Sequence, residues 1–395
     1  MHRRSFLKGT GVVTILVAGG GVWRAAGQEV FHPGEGPAYQ PWKDWRKDLT
    51  LGDGMLPLVR AAILAASPHN TQPWLFRVAD GSIEMYLDAR RNLGALDPFL
   101  REAHIGMGCA LENLVLAAVA KGSALKITIV PGTLGPVPAR PGPMLVARVE
   151  ISACIQELDD LYEAIPRRHT NRGAYLPERP VPPPFLDALA HLAGDDPDLR
   201  LFLFTAEADR RRIVEVSAAA NSELYSDPEV IRANERWLRF DWHEVQEYRD
   251  GLTVDAFGLP PFLTGLAKMM PAWMLRQAAA GGAKLGYSGL MLSAPLIGIL
   301  AVRDRYDRDQ CVRAGRFWQR AHLLATTRAL AARPCNEAVE MIDHEKALGK
   351  KPQRAERLAE IIDDRSWQPT FVFYMGYPAL PARSSPRRPV ERVLL

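Results

Sequence analysis

The pattern of apolar and polar positions predicts a chain rich in helices. Residues 101–121 carry apolar side chains at helical spacing and end at Gly122, a residue that suits a helix C-terminus. A second long pattern covers residues 311–332 and stops before Pro334. Shorter or more charged helical patterns occupy residues 57–66, 157–166, 184–193 and 207–250.

Other stretches alternate apolar and polar residues, as strands do. Residues 73–79 and 83–88 alternate on either side of Asp80-Gly81, which predicts a hairpin. Because hairpins are mixed with helices here, an α+β class is favoured over a strictly alternating parallel sheet. Further strands are predicted at residues 125–130, 144–151, 199–205 and 370–376.

Two hydrophobic stretches have more than one interpretation. Residues 285–302 approach the length of a membrane span, but their glycines, serines and proline favour a buried strand and loop. Residues 257–279 are rich in Met and Trp. They could form a cover over a pocket or part of the core, and the pattern does not separate the two.

Composition narrows the class of protein. Of 395 residues, 47% are hydrophobic and 24% are charged, which is typical of a globular chain. The net charge of +4 is spread along the sequence, so no nucleic-acid partner is expected. The four cysteines lack metal-ligand spacing, so no metal site is expected. We interpret them as small buried side chains, with a disulfide as the alternative in an exported protein.

The first residues have the layout of an export signal. Arg3-Arg4-Ser5-Phe6-Leu7-Lys8 is followed by an apolar run to Val22 and by small residues up to Gly27. The paired arginines resemble the twin-arginine (Tat) motif closely. Residues 1–27 are therefore predicted to be a twin-arginine signal peptide. It implies the Tat translocase as a partner and a periplasmic or other extracytoplasmic location.

A polar segment between two prolines is the first candidate for chemistry. Residues 67–74 read SPHNTQPW, and the prolines favour an extended backbone. Alternate side chains of an extended chain share a face, so Asn70 and Gln72 are predicted to point into one pocket. Their amide groups both donate and accept hydrogen bonds, which suits the edge of a flat heterocycle such as a flavin pyrimidine.

A basic segment is the second candidate. Residues 168–172 read RHTNR, and by the same alternation Arg168, Thr170 and Arg172 face one way. Two guanidinium groups beside a hydroxyl suit a phosphate ester, because Arg grips phosphate through paired charge-assisted hydrogen bonds. Spacing alone does not distinguish this from a solvated basic turn.

Four segments together resemble the FMN-dependent nitroreductase family. They read AASPHNTQPW at 65–74, GCALENLVLAA at 108–118, RRHTNRGAY at 167–175 and GYPALPARSSPRRPVERV at 376–393. The resemblance implies a nitroreductase-like α+β fold, in which helices flank a central, mainly antiparallel sheet. It also implies one FMN site that includes Ser67, Pro68, His69, Asn70, Gln72, Arg168, His169, Thr170, Arg172, Pro295, Gly298, Arg387 and Arg388.

The resemblance also implies roles for these residues. Arg168, His169 and Thr170 are expected to hold the flavin phosphate and ribityl chain, and Arg172 is expected near the pyrimidine edge. Residues 67–70 are expected to contact the ring and ribityl from the other side. Arg387 and Arg388 are expected to close the phosphate site. Residues 295–298 are expected to form a loop against the flavin N5, although Ile297 stands where the family often has an acidic residue.

The order of the motifs departs from the family pattern. In the family the basic motif comes first, whereas here it follows the Asn-x-Gln-Pro-Trp segment by about a hundred residues. We therefore predict two fused nitroreductase-like halves, residues 28–155 and 156–395, with a helical insertion at 207–285. Such a pseudo-dimer resembles the mycobacterial dormancy-associated branch of the family. The chain could remain a monomeric pseudo-dimer or pair further into a homodimer.

Three functions remain open from the sequence. The resemblance implies an oxidoreductase that reduces small nitroaromatic or quinone-type acceptors through FMN, with NAD(P)H as an electron donor. No catalytic side chain is assigned, because the cofactor carries the chemistry. The alternatives are an FMN-binding or storage protein with little turnover, and a structural envelope protein that has lost the flavin.

Overall fold

The computed structural model describes residues 27–30, 32–46, 54–154, 160–194, 196–282 and 287–395. Apart from Gly27, the predicted twin-arginine signal at residues 1–27 lies outside these residues. The described chain forms an α+β structure with two four-stranded antiparallel sheets and a short parallel pair. The fold class predicted from the pattern is confirmed.

The first sheet comes from the first half of the chain. Its strands are β1 (Trp74–Ala79), β2 (Ser82–Asp88), β3 (Ser123–Ile129) and β4 (Pro143–Cys154), in the order β1-β2-β4-β3. Trp74 pairs with Leu87 and Ala79 with Ser82, which confirms the hairpin predicted around Asp80-Gly81. Gly81 has a φ of 72°, as this tight turn requires.

The second sheet comes from the second half. Its strands are β5 (Leu199–Phe204), β8 (Leu296–Val302), β9 (Ala331–Pro334) and β10 (Gln368–Gly376), in the order β5-β8-β10-β9. Every residue of β8 is buried, so the apolar stretch at 285–302 contributes a core strand, as favoured from its composition. The short pair β6 (Leu238–Arg239) and β7 (Leu252–Thr253) lies between β5 and β8 in the sequence.

Thirteen α-helices are assigned within the described residues. They are α1 (Gln40–Lys43), α2 (Leu56–Ala62), α3 (Arg101–Ala120), α4 (Pro183–Ala193), α5 (Glu207–Leu224), α6 (Pro228–Glu235), α7 (Trp242–Tyr248), α8 (Pro261–Met269), α9 (Ala272–Gly282), α10 (Tyr287–Leu292), α11 (Arg308–Thr327), α12 (Glu337–Ala347) and α13 (Gln353–Ile362). The region predicted as helical at 207–250 is divided into α5, α6 and α7. The segment predicted as a helix at 157–166 is a 3-10 helix at Tyr162–Arg167, preceded by undescribed residues.

The two long helices α3 and α11 cross at a pair of glycines. A Cβ added to Gly108 would lie 2.0 Å from the Val312 carbonyl oxygen, and one added to Gly315 would lie 1.9 Å from that of Ile105. Only glycine permits backbones to approach this closely. Helix α3 is long and apolar enough to cross a membrane, but 83% of its apolar window is buried, as expected of a core helix.

The C-terminal tail returns to the first sheet. The Phe76 N–H donates to the Val393 carbonyl over 2.7 Å, and the Leu395 N–H donates to the Phe76 carbonyl over 2.8 Å. The tail therefore extends the β1 edge of the first sheet. This return carries Arg387 and Arg388 past the segment that contains Asn70 and Gln72, which positions the candidate site.

Candidate functional site

A cavity of about 600 Å³ brings the two candidate segments together. Ser67, Pro68 and His69 line it from the first segment, and Thr170 and Arg172 line it from the second. Gly106 and Cys109 of α3 form part of its wall. This volume is typical of cavities that hold drug-sized ligands or cofactors.

The first segment is not extended, contrary to the prediction from its prolines. Pro68–Asn70 form a 3-10 turn after Ser67. His69, Asn70 and Gln72 have φ values of 45°, 56° and 51°, in the left-handed region. Such a backbone does not alternate its side chains between two faces, so the sharing of one face by Asn70 and Gln72 does not follow.

The side-chain amides of Asn70 and Gln72 instead form hydrogen bonds with backbone groups of distant parts of the chain. Asn70 Nδ2 donates to the carbonyl oxygens of Gly251 (3.1 Å) and Pro386 (3.0 Å). Gln72 Nε2 donates to the Arg249 carbonyl over 2.8 Å, and its Oε1 accepts from the Arg388 N–H over 2.7 Å. These amides join the first segment to the 249–251 turn and to the tail, and neither residue lines the cavity.

Arg168 and Arg387 meet at one backbone oxygen near the first segment, and neither lines the cavity. Arg168 Nη2 donates to the Leu64 carbonyl over 3.1 Å, and Arg387 Nη2 donates to the same oxygen over 3.4 Å. Arg387 Nη1 also donates to Asn70 Oδ1 over 2.6 Å. Asn70 and Arg168 are thus connected through one guanidinium group, although they are about a hundred residues apart in sequence.

Both arginines are buried without an acidic partner among the described residues. Arg168 is 2% exposed and Arg387 is 3% exposed. Burial lowers the pKa of each guanidinium group, and repulsion from Arg168 lowers the pKa of Arg387 further. The Nε atoms of Arg168 and Arg387 have no hydrogen-bond partner in the described structure. Buried guanidinium groups are normally paired, so this arrangement is suited to an anion.

His322 of α11 orients Arg168. The Arg168 Nη1 donates to His322 Nδ1 over 3.4 Å, and His322 Nε2 lies 3.3 Å from the His169 carbonyl oxygen. Burial lowers the pKa of His322 well below its usual value, and Arg168 lowers it further. The neutral ring that accepts at Nδ1 therefore donates from Nε2, which ties α11 to the basic segment.

Arg172 faces the cavity itself. Burial lowers its pKa to about 10, and the nearby Arg333 and Arg168 contribute to the shift. The Arg333 Nη1 lies 3.5 Å from the Arg172 carbonyl oxygen, and Arg333 also lines the cavity. His69, which also lines the cavity, has its pKa lowered to about 4 by burial and by Arg172, so its ring is neutral at pH 7.

The remaining predicted residues lie at the margin of the cavity or away from it. Arg388 Nη1 donates to the Gln72 carbonyl over 3.1 Å. His169 packs edge-on against Trp42 at 4.8 Å between ring centroids. Gly298, predicted in a loop, lies in the central strand β8 between Leu203 and Phe373. Strand β8 has a neighbour on each side, so its backbone N–H and carbonyl groups are paired within the sheet. Neither Gly298 nor Pro295 lines the cavity.

Several residues of this region escaped the sequence analysis. The Trp42 ring lies 4.6 Å from the Arg387 guanidinium carbon, so helix α1 covers Arg387. Glu102 and Glu340 line the cavity, and burial raises the pKa of both carboxyl groups. Apart from helix position, no local sequence signal distinguishes these residues from ordinary core and surface positions.

A second part of the cavity lining is apolar. It consists of residues from the short β6–β7 pair and from the segment that follows, namely Leu238, Phe240, Leu252, Val254, Phe257, Leu259, Ala267 and Leu275. Helices α8 and α9, together with the preceding Leu259, are called the cover here. The Met- and Trp-rich stretch at 257–279 therefore forms a cavity wall, one of the two interpretations left open from its sequence.

The sequence matches proteins of Mycobacterium tuberculosis named as NAD(P)H nitroreductases. One is 34% identical over 122 residues, which are 29% of this chain and 32% of that protein. A second, acg, is 34% identical over 79 residues, which are 20% of this chain and 24% of that protein. The matched part thus spans about a third or less of either relative. No family model matches the sequence.

Solved nitroreductase structures show a weaker likeness. The FMN-dependent nitroreductase NfnB of Mycobacterium smegmatis, in complex with NADPH, has a TM-score of 0.35 at 18% identity, over 59% of this chain and 97% of that one. A Bacteroides fragilis nitroreductase with bound FMN has a TM-score of 0.34 at 12% identity, over 58% and 95%. Scores this low establish nothing about the site. The 34% identity to the mycobacterial protein over 122 residues is therefore the stronger likeness, and it covers 29% of this chain.

Proposed function

We propose that this chain binds one FMN in the 600 Å³ cavity and acts as an oxidoreductase on nitroaromatic or quinone-type acceptors. The observation that carries the proposal is the meeting of Arg168 and Arg387 at the Leu64 carbonyl oxygen without a carboxylate partner in the described chain. Two buried cations with unpaired Nε atoms call for an anion. A phosphate monoester supplies both the charge and the acceptor oxygens.

Arg168 and Arg387 do not line the cavity, but Thr170 and Arg172 of the same basic segment do, and the cavity suits the rest of the nucleotide. Part of its lining is polar and includes Ser67, His69, Thr170 and Arg172, while another part is apolar. An amphipathic ring system with one hydrogen-bonding edge fits such a division. Arg172 is the residue that would face that edge, since it lines the cavity as a cation without an acidic partner in the described structure.

The residues present therefore fit FMN. Arg168 and Arg387 would hold the phosphate, and His322 and Trp42 would position these two side chains. A bound flavin supplies the electron transfer, with NAD(P)H as the donor that the names of the relatives support. The chain's own contribution is to bind, orient and exclude water.

A storage function is the second candidate, and the cover favours it. Leu259, Ala267 and Leu275 line the cavity together with the polar segments. If this wall stays closed over the flavin, a nicotinamide donor cannot reach it. The protein would then bind FMN with little or no turnover.

We also propose that the chain is a fused pseudo-dimer. Support comes from the division of its strands, with β1–β4 in one sheet and β5, β8, β9 and β10 in the other, and from the crossing of α3 and α11 at Gly108 and Gly315. Export through the twin-arginine route rests on Arg3, Arg4 and the following apolar run alone. Fusing residues 1–27 to a reporter that is active only after export would test that proposal.

One spectroscopic experiment separates the functions. The full chain is purified, its visible spectrum is recorded, and NADPH is added without oxygen. A yellow protein that bleaches supports the reductase, and a yellow protein that keeps its colour supports storage. A colourless protein that takes up no added FMN contradicts both.

A variant pair tests the site. Arg168→Ala is expected to lower flavin occupancy because it removes one of the two phosphate-binding cations. Arg167→Ala is the matched control, since Arg167 precedes it in sequence but is exposed, with its Nε donating to the Glu163 carbonyl oxygen. Equal occupancy in both variants would rule out the proposed role of Arg168.

A further inference from the structure

The outer face of the cover exposes an unusual amount of apolar surface. Of the fourteen large apolar side chains that are most exposed in the described chain, seven lie between residues 259 and 274. Phe262 is 80% exposed, Trp273 64% and Leu266 52%. Scattered single residues of this kind are ordinary, but a contiguous patch marks a surface that meets something apolar.

The cover helices have two distinct faces. In α8 the side chains of Thr264 and Lys268 are buried, while Phe262 and Leu266 point outward. Lys268 Nζ forms an ion pair with Asp255 Oδ2 over 2.6 Å, which anchors the helix from its inner side. In α9 Leu275 lines the cavity, whereas Trp273 is exposed. The outward face is thus apolar, whereas the Lys268–Asp255 ion pair attaches α8 to the fold on its inner side.

The sequence of the cover contains no acidic residue. From residue 256 to residue 302 the chain has no Asp or Glu, and its basic residues are Lys268, Arg276 and Lys284. An apolar face with Phe, Trp and Leu, basic residues and no acidic ones has the composition of a helix that lies in a membrane interface. Because Lys268 and Arg276 are paired with Asp255 and Glu244, the apolar contribution outweighs the electrostatic one.

Residues 28–30 contact the rest of the fold beside this same face. The Gln28 side chain donates to Asp241 Oδ2 over 2.7 Å and accepts from the Trp242 N–H over 3.0 Å. A Cβ added to Gly265 of α8 would lie 3.1 Å from Val30 Cγ1, so Val30 packs on the cover. The point at which residues 1–26, basic at first and then apolar, connect to the described chain therefore lies beside the exposed face.

We propose that the cover docks on a lipid bilayer surface through Phe262, Leu266 and Trp273. Two features suited to a bilayer then lie on one side of the molecule: the apolar face and the attachment point of the N-terminal segment. The inner sides of the same two helices line the cavity, so the cavity and the lipid are separated by a single helical layer. This proposal does not depend on the identity of the ligand in the cavity.

Vesicle sedimentation with the full chain tests the proposal. The wild type is compared with Phe262→Ser/Trp273→Ser on phosphatidylcholine vesicles and on vesicles mixed with phosphatidylglycerol. The double variant is expected to bind about 10- to 100-fold more weakly to both. Ile151→Ser/Leu348→Ser, which removes two apolar side chains exposed elsewhere, is expected to bind as the wild type does.

A second readout separates the cover from the N-terminal segment, which is the same in all these chains. Lipids brominated on their acyl chains quench a tryptophan that enters the interface. Part of the quenching is expected to disappear in Trp273→Phe. Unchanged quenching in that variant would overturn the proposal. The proposal would also be overturned if the wild type did not bind vesicles but formed dimers and the double variant stayed monomeric. A second copy of the chain would then cover the face.

Discussion

Arg168 and Arg387 donate hydrogen bonds to one acceptor, the carbonyl oxygen of Leu64, at 3.1 and 3.4 Å. Two like charges converge there although burial alone already disfavours each of them. Such an arrangement costs stability unless an anion joins it. The pair is therefore better explained by ligand binding than by folding.

The first prediction concerns phosphate recognition. Arg168→Met is expected to reduce the preference for FMN over riboflavin by about 10- to 100-fold, because one charge-assisted contact to phosphate is lost. Titration of the protein with each flavin, followed by fluorescence quenching, measures the two affinities. Arg167→Met is the control and should keep the wild-type preference. An unchanged FMN-to-riboflavin ratio in Arg168→Met would place the phosphate elsewhere.

The second prediction concerns the helix crossing. Gly108→Ala is expected to lower the free energy of unfolding by about 3 kcal/mol or more, since the new Cβ would lie 2.0 Å from the Val312 carbonyl oxygen. The exposed Gly289 in α10 has nothing within 4 Å of its added Cβ, so Gly289→Ala should raise that free energy by about 0.5–1 kcal/mol. Urea denaturation measures both. A Gly108→Ala protein as stable as the wild type would contradict the close approach.

The third prediction concerns pH. The folded pKa of His69 is lowered to about 4, whereas an unfolded histidine titrates near 6.5. Between these values the unfolded chain binds the proton and the folded chain does not, so stability falls as the pH falls through this window. From pH 7 to pH 5, His69→Gln should lose about 2 kcal/mol less stability than the wild type. Equal losses would show that His69 titrates normally.

The fourth prediction concerns a buried carboxylate. Asp343 Oδ2 pairs with Arg101 Nε at 2.7 Å, and Asp343 Oδ1 pairs with Arg305 Nη2 at 3.0 Å. Asp343→Asn leaves the buried Arg305 without its countercharge and leaves Arg101 paired with Glu102 alone, which should cost about 3–5 kcal/mol of unfolding free energy. Glu360→Gln removes the exposed pair with Arg357 and should cost less than about 1 kcal/mol. Thermal or chemical denaturation of the two variants would show a similar loss if burial were unimportant.

Local pattern was enough to locate most elements of the fold. The hairpin at β1 and β2 followed from alternation and from Asp80-Gly81, and α3 and α11 followed from helical spacing. These signals are local because the period of the side chains is set by the backbone itself. Residues 295–298 were misplaced because the resemblance implied a loop there. A run of apolar residues between two sheet neighbours forms a central strand instead.

The geometry of the first candidate segment could not be predicted in the same way. Its prolines favour extended backbone, yet His69, Asn70 and Gln72 adopt positive φ. Contacts with distant backbone, such as Gly251 and Pro386, hold the Asn70 amide in place, and they are made only after the chain has folded. Trp42 is a similar case, since its contact with Arg387 joins two ends of the chain.

From residue types and their spacing alone, one can establish that the chain is an α+β protein with two polar segments suited to a nucleotide. The folded arrangement decides that Thr170, Arg172 and His69 line one cavity, and that Arg168 and Arg387 are buried together without a carboxylate in the described chain. The physical reason is range. Periodicity and turn chemistry act over a few residues, whereas the burial and pairing of a charge depend on groups that may be hundreds of residues away in sequence.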